Sequence, residues 1–293
     1  MNMNSSAQPA SATIKQTIPV MRGLLYAESV LVATIGISLY LMSDLTENFF
    51  AWTIGVPLTA AFLGASYWAS FALQYFSARQ PVWANARLAG PAVLTFSTLT
   101  LIVTLIHLDE FHLNAPMIIP KNLTWAWLGV YTSAPVVMSL AMVLQARAPG
   151  VDPQRGKMLP GWFRAILFGM SAVLVLMGIG LLVAPLALAP LWAWVLTSLT
   201  GRVVGAWLVG LGFAAGQTVW ENDWARSFAL MIGFTVFGVL QLIALLRYPD
   251  AAGLDWSSAR AWVYVVFLLI IGSIGIYGAW MARRAATPEE GKS

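Results

Sequence analysis

FRAILFGMSAVLVLMGIGLLVA, residues 163–184, decides the fold. Within it only Arg164 is charged, and a helix rising 1.5 Å per residue needs about 20 apolar residues to cross about 30 Å of hydrocarbon. A lone segment in lipid must satisfy its own backbone hydrogen bonds, so the stretch reads as a transmembrane helix. Seven further segments of the same character lie at about 20–42, 57–79, 88–106, 124–145, 198–220, 228–247 and 261–282. Whole-chain composition agrees: of 293 residues, 59% are hydrophobic and 10% charged, against about 25% charged in a soluble domain. Mean hydropathy is +0.75. The expected fold class is all-α integral membrane, with about eight transmembrane helices.

Cysteine is absent, which excludes disulfides, thiolate nucleophiles and cysteine-ligated metal centres. The pI near 9.5 does not point to nucleic acid, because the cations sort into alternate connections. With the N-terminus inside, the cytoplasmic ends hold Lys15, Arg22, Arg79, Arg87, Arg147, Arg155, Lys157, Arg164, Arg226, Arg283, Arg284 and Lys292. The outer loops hold only Lys121, Arg247 and Arg260, with Arg202 inside a span. The bias predicts a cytoplasmic-membrane protein with both termini in the cytoplasm. Every Trp except Trp68 and Trp207 lies near a span end, as an aromatic belt requires.

The opening stretch also repeats an earlier one. At an offset of 142, Arg22, Leu25, Ser29, Gly36, Ile37, Leu39, Ala51 and Trp52 meet identical residues between Arg164 and Trp194. At an offset of 141, identities continue from Leu58/Leu199 through Gly64/Gly205 and Trp83/Trp224 to Asp109/Asp250 and Leu113/Leu254. A further shift pairs Ala126 and Trp127 with Ala261 and Trp262. Four spans per repeat is an even number, so both halves enter the membrane in the same direction. The expected architecture is 4+4, two parallel four-helix repeats about a pseudo-twofold axis along the membrane normal. The divisions are a disordered cytoplasmic tail (1–19), a first repeat (20–145), a cytoplasmic linker (146–162), a second repeat (163–283) and a cytoplasmic tail (284–293). FFAWTIGVP (49–57) and LWAWVLTS (191–198) read as short outer-interface stretches, followed by helices starting at Pro57 and Ser198.

LWAWVLTSLTGRVVGAWL (191–208), taken with LIHLDEFHL (105–113), resembles a group of bacterial multi-pass membrane proteins carrying Trp-rich LTxRxxGAW-like and HLDxFH-like stretches. The resemblance implies a polytopic inner-membrane protein and no particular activity, and it supplies no catalytic residue.

Few residues can carry chemistry. Glu28 is the only acid inside an expected span, about 9–12 Å from its cytoplasmic end, and its repeat counterpart is Met170. Arg202 is the only base, with Ala61 as counterpart; it sits about 6 Å below the outer surface if the sixth helix starts at Ser198. Its expected partners are Asp44, Asp250, Asp255 or an anionic ligand, with Glu28 the weaker choice. Gln74, Gln217 and Gln241 add polar groups in the spans. In the loop His107-Leu-Asp109-Glu110-Phe-His112, helical continuation puts Asp109 with His112 and His107 with Glu110, a weak candidate set for a divalent metal. Gly201-x-x-x-Gly205 and Gly212-x-x-x-Gly216 mark the sixth helix as a close-packing element.

Phosphate loops, HExxH and GxSxG are missing, no cofactor is expected, and an intramembrane enzyme ranks last. The leading expectation is a carrier, channel or binder for a small or lipidic molecule, with Glu28, Arg202, Gln74, Gln217 and Gln241 in a site between the repeats. The alternative is a non-catalytic membrane scaffold or partner subunit, docking a homo-oligomer or another membrane protein through its Gly-rich sixth helix.

Overall fold

The computed structural model describes residues 13–286, and within them every regular element is helical. Eight helices have 18 or more residues: α1 (Pro19–Leu41), α2 (Pro57–Ala78), α3 (Ala89–Ile106), α4 (Ile118–Arg147), α5 (Gly161–Val183), α6 (Ser198–Glu221), α7 (Trp224–Arg247) and α8 (Ala259–Ala286). Seven are long and apolar enough to cross a membrane; α2 is the exception. Its Ser66, Ser70, Gln74 and Ser77 lower its hydropathy, and most of its residues are buried against other helices. Protein, not lipid, is its surrounding. Pro19 and Pro57 open α1 and α2 where a missing N–H costs nothing. The expected starts at Pro57 and Ser198 hold, although the cap of α6 is Thr197, whose side chain accepts from the Thr200 N–H.

The chain crosses back and forth between two faces. The amino-terminal face gathers residues 13–18, 79–88, 148–160 and the α6–α7 turn; the opposite face gathers 42–56, 107–117, 184–197 and 248–258. The most extensive pairings are α1 with α2, α5 with α6 and α7 with α8. The main pairings between the halves of the chain are α2 with α7 and α3 with α6. Hence α6 is the most enclosed span, with 67% of its most apolar window buried, against 22% for α1 and for α4. Outward apolar side chains such as Leu176, Val183 and Leu246 form the surface a bilayer requires.

Several contacts recur at fixed spacing. The Trp83 N–H donates to the Lys15 carbonyl at 3.1 Å, and the Trp224 N–H donates to the Lys157 carbonyl at 3.1 Å. A Cβ on Gly36 would lie 3.2 Å from the Gly64 carbonyl oxygen; one on Gly178 would lie 2.7 Å from that of Gly205. Gly233 packs on the Ala69 carbonyl as Gly210 packs on that of Ala92. The pairing of Trp127 with Trp262 does not recur: Trp127 is buried and Trp262 is 56% exposed. Tyr131 and Tyr264, both buried, stand at comparable places in α4 and α8 instead.

Three expectations change. Residues 13–18, assigned to a disordered tail, are pinned: Lys15 N–H donates to the Val151 carbonyl, Thr17 N–H to that of Pro81, and the Gln145 amide bonds both Gln16 O and Ile18 N. Residues 1–12 and 287–293 lie outside the described residues. The 146–162 segment is no free linker either, since Asp152, Pro153, Arg155, Gly156 and Leu159 all bond other elements. Finally, the Trp-bearing stretches at 49–57 and 191–198 turn inward. Trp52, Trp192 and Trp194 are buried in aromatic clusters, Trp52 with Phe50, Phe111 and Trp127. Trp125, Trp162, Trp220 and Trp280 keep the exposed positions of a belt.

Candidate functional site

Helices α1 and α4 touch only lightly, and between them runs a groove. Toward the opposite face it is a cavity of about 160 Å³ lined by Leu31, Ile35, Phe50, Leu123, Trp127 and Val130. It continues past Leu31, Ile35, Val130 and Tyr131 into a narrow end of about 50 Å³, where the polar side chains of Glu28, Ser70, Gln74 and Ser97 enter from α1, α2 and α3. Leu31 and Leu123 on its rim are 36% and 39% exposed, so the groove opens sideways, onto the apolar surface of the bundle.

The polar end is rich in unmet acceptors. Among the described residues, Glu28 Oε2 and Gln74 Oε1 are buried without a hydrogen-bond partner. Gln74 itself is 1% exposed, and its amide nitrogen donates to Ser70 Oγ at 2.9 Å while Oε1 has no partner. The Tyr131 hydroxyl is held by Tyr67 at 2.5 Å. Pro135, inside α4, has no N–H for the Tyr131 carbonyl.

Arg202 lies far from this groove, in the first turn of α6. Its Nε donates to the Leu182 carbonyl at 3.0 Å and its Nη1 to Ser198 Oγ at 2.6 Å and His107 Nε2 at 2.8 Å. Guanidinium only donates, so His107 Nε2 must accept, and the ring proton sits on Nδ1, where it is given to Glu110 Oε1 at 2.7 Å. The sequence placed His107 and Glu110 together correctly. It did not join them to Arg202, and the expected aspartate partners lie elsewhere. Asp44 accepts from the Tyr248 hydroxyl at 2.8 Å and from Arg247. Hydrogen bonds from the Ser257 hydroxyl and N–H hold the Asp255 carboxyl below the ordinary carboxylate range.

The remaining candidates disperse. His112 bonds Thr53 and the Phe50 carbonyl and turns away from Asp109; no group of three metal-ligating side chains forms among the described residues. Gln241 is fully satisfied, donating to the Phe62 carbonyl and accepting from the Tyr264 hydroxyl. Gln217 lies on α6 with Oε1 unpartnered, outside the groove. Thus only Glu28 and Gln74 of the five expected binding residues come together, and they do so between α1 and α4, not between the two halves of the chain. The glycines expected to dock a partner are also already covered. Gly205 meets Gly178, Gly212 meets Val175 and Leu174, Gly216 meets Ser171, and Gly201 meets Pro185, all within this chain.

A charged cluster went unforeseen. Glu221, fully buried at the end of α6, accepts from Arg87 Nε at 2.5 Å and Arg226 Nη1 at 2.9 Å. Arg87 also bonds Asp152, and Arg226 the Pro153 carbonyl. Asp223 caps α7 through the Arg226 N–H and accepts from Gly156. Asn222 takes the left-handed conformation (φ 48°) that reverses the chain between them. The available signal was three acids, Asp152, Glu221 and Asp223, among the many cations of this face. Every donor and acceptor named here has a protein partner, so the cluster ties the helix ends together. No protein-family profile, curated protein or solved structure matches the chain, and the resemblance drawn from 105–113 and 191–208 has no counterpart among them.

Proposed function

We propose that the chain is a membrane-embedded binder or carrier of a small amphiphilic or lipidic molecule, held in the groove between α1 and α4. The observation that carries the reading is a pair of buried, unpartnered acceptors, Glu28 Oε2 and Gln74 Oε1, at the polar end of a groove open to the lipid side. A buried acceptor without a donor costs free energy that a donor brought by a ligand would recover, and an ionisable group in a span ordinarily serves a pathway or ligand. We further read α2 as an eighth span and the bundle as two related four-helix halves. The recurring Lys15–Trp83 and Lys157–Trp224 bonds and the Gly36–Gly64 and Gly178–Gly205 approaches support that reading. The cation bias supports placing both termini in the cytoplasm.

Native mass spectrometry of gently extracted protein, before and after delipidation, tests the binding reading. A bound molecule of constant mass, retained by the protein and lost from Glu28→Gln, is expected. An empty chain throughout would overturn it, as would an adduct indifferent to the substitution.

A further inference from the structure

We infer that the α1–α4 groove takes an amphiphile with an organic ammonium head, for which Glu28 is the counter-ion. The inference rests on the binding reading above and names its ligand class.

Charge comes first. No Lys, Arg or His lines either part of the groove. Arg202, on α6, directs its Nε and Nη1 donors to Leu182, Ser198 and His107. Arg22 precedes Glu28 by six residues and so points about 120° away around α1. The carboxyl is therefore without a cation of the protein's own, in surroundings where a carboxylate needs one.

Hydrogen-bond inventory narrows the head further. Gln74 presents its unpartnered Oε1 while its amide nitrogen donates to Ser70 Oγ, and the Tyr131 hydroxyl is committed to Tyr67. An alkylammonium carries up to three N–H donors and one positive charge, which suits an acid beside a neutral acceptor. An alcohol brings one donor and no charge. A carboxylate or phosphate head would bring a second anion to a place without a cationic donor.

The tail follows from continuity. From the polar end the groove runs beside Ile35 and Val130 to the rings of Phe50 and Trp127, an apolar path with a lateral opening between Leu31 and Leu123. A second groove, between α5 and α8, serves as an internal contrast. Val173, Leu174 and Met177 line it much as Leu31, Val32 and Ile35 line the first. Met170 is the residue that matches Glu28, and no acid is among its lining residues. The acid is a property of one groove only.

The test uses the full chain in phosphatidylcholine nanodiscs at neutral pH with three photoactivatable probes of equal length: dodecylamine, dodecanol and dodecanoic acid. Adducts are mapped by peptide mass spectrometry. The amine is expected to label α1 and α4 around Leu31 and Val130 preferentially, with labelling falling about tenfold or more in Glu28→Gln. Glu28→Asp, which keeps the charge, is expected to retain the preference. Equal labelling of the groove by all three probes, unchanged in Glu28→Gln, would overturn the ammonium assignment while leaving the groove as a binding site. Equal loss of amine and alcohol labelling in Glu28→Gln would overturn it too, since Glu28 would then only shape the groove. Absence of all three probes from the groove would remove both readings. Unchanged gel-filtration behaviour of both variants is the control for folding.

Discussion

A carboxylate inside a membrane protein must be neutralised, paired or reserved for something else. Glu221 and Glu28 represent two of these outcomes. Glu221 is fully buried and meets two guanidinium groups, so Glu221→Ala leaves two cations facing each other. We predict a loss of about 3–5 kcal/mol, read as a fall in the thermal midpoint in detergent. Glu28→Gln removes no protein partner and is expected to leave that midpoint unchanged or raised; a fall as large as that of Glu221→Ala would contradict its role as a ligand group. Arg202 offers another comparison. It reaches three acceptors in different directions, which suits a planar fork and not an ammonium. Arg202→Lys should therefore destabilise nearly as much as Arg202→Ala, and full stability in the lysine variant would show that charge alone matters. Glu28 was legible in the sequence because it interrupts an apolar run. Glu221 was not, since it falls one residue beyond an expected span, where charge is unremarkable. The His107–Arg202 contact spans 95 positions, and no local spacing encodes it.

At the level of helices, close packing depends on where Cβ atoms are missing. A Cβ on Gly178 would lie 2.7 Å from the Gly205 carbonyl oxygen and 2.9 Å from the Val209 nitrogen, both backbone atoms that cannot swing aside. Gly178→Ala and Gly205→Ala are expected to cost about 1–3 kcal/mol each. At Gly23 of α1 nothing lies within 4 Å, and alanine there should be neutral or stabilising by up to about 1 kcal/mol. Thermal unfolding of the three variants checks the order, and equal midpoints would refute the packing argument. The Gly-x-x-x-Gly spacing revealed that α6 packs tightly. It could not reveal against what, and the partner proved to be α5. Helix boundaries were legible where proline or a cap marks them, at Pro57 and Ser198. They were missed at α4, which begins at Ile118 because its first turn already carries its own proline at a tolerated position.

For the whole molecule, apolar runs disclosed a multi-pass bundle. Which helices touch was not written in them, because in lipid any apolar face is permissible. Internal identities pointed to four-helix halves, but the Trp127/Trp262 identity in α4 and α8 does not carry over into equivalent positions, one ring being buried and the other exposed. The orientation proposed from charge is open to direct measurement, since a chain without cysteine accepts single-cysteine probes. Asp109→Cys and Asp250→Cys should react with an impermeant maleimide on intact cells, and Arg147→Cys only after permeabilisation. The reverse pattern would invert the topology and leave the fold intact. One feature also bears on how the protein is made. Helix α2 is the least suited of the eight to leave a translocation channel for lipid unaided, yet its principal distant companion, α7, begins at Trp224, about 150 residues later in the chain. Between those moments α1 is its main shelter. The newborn first half must therefore wait, incompletely buried, for the second to be synthesised, and the assembly of this protein is a problem of timing as much as of affinity.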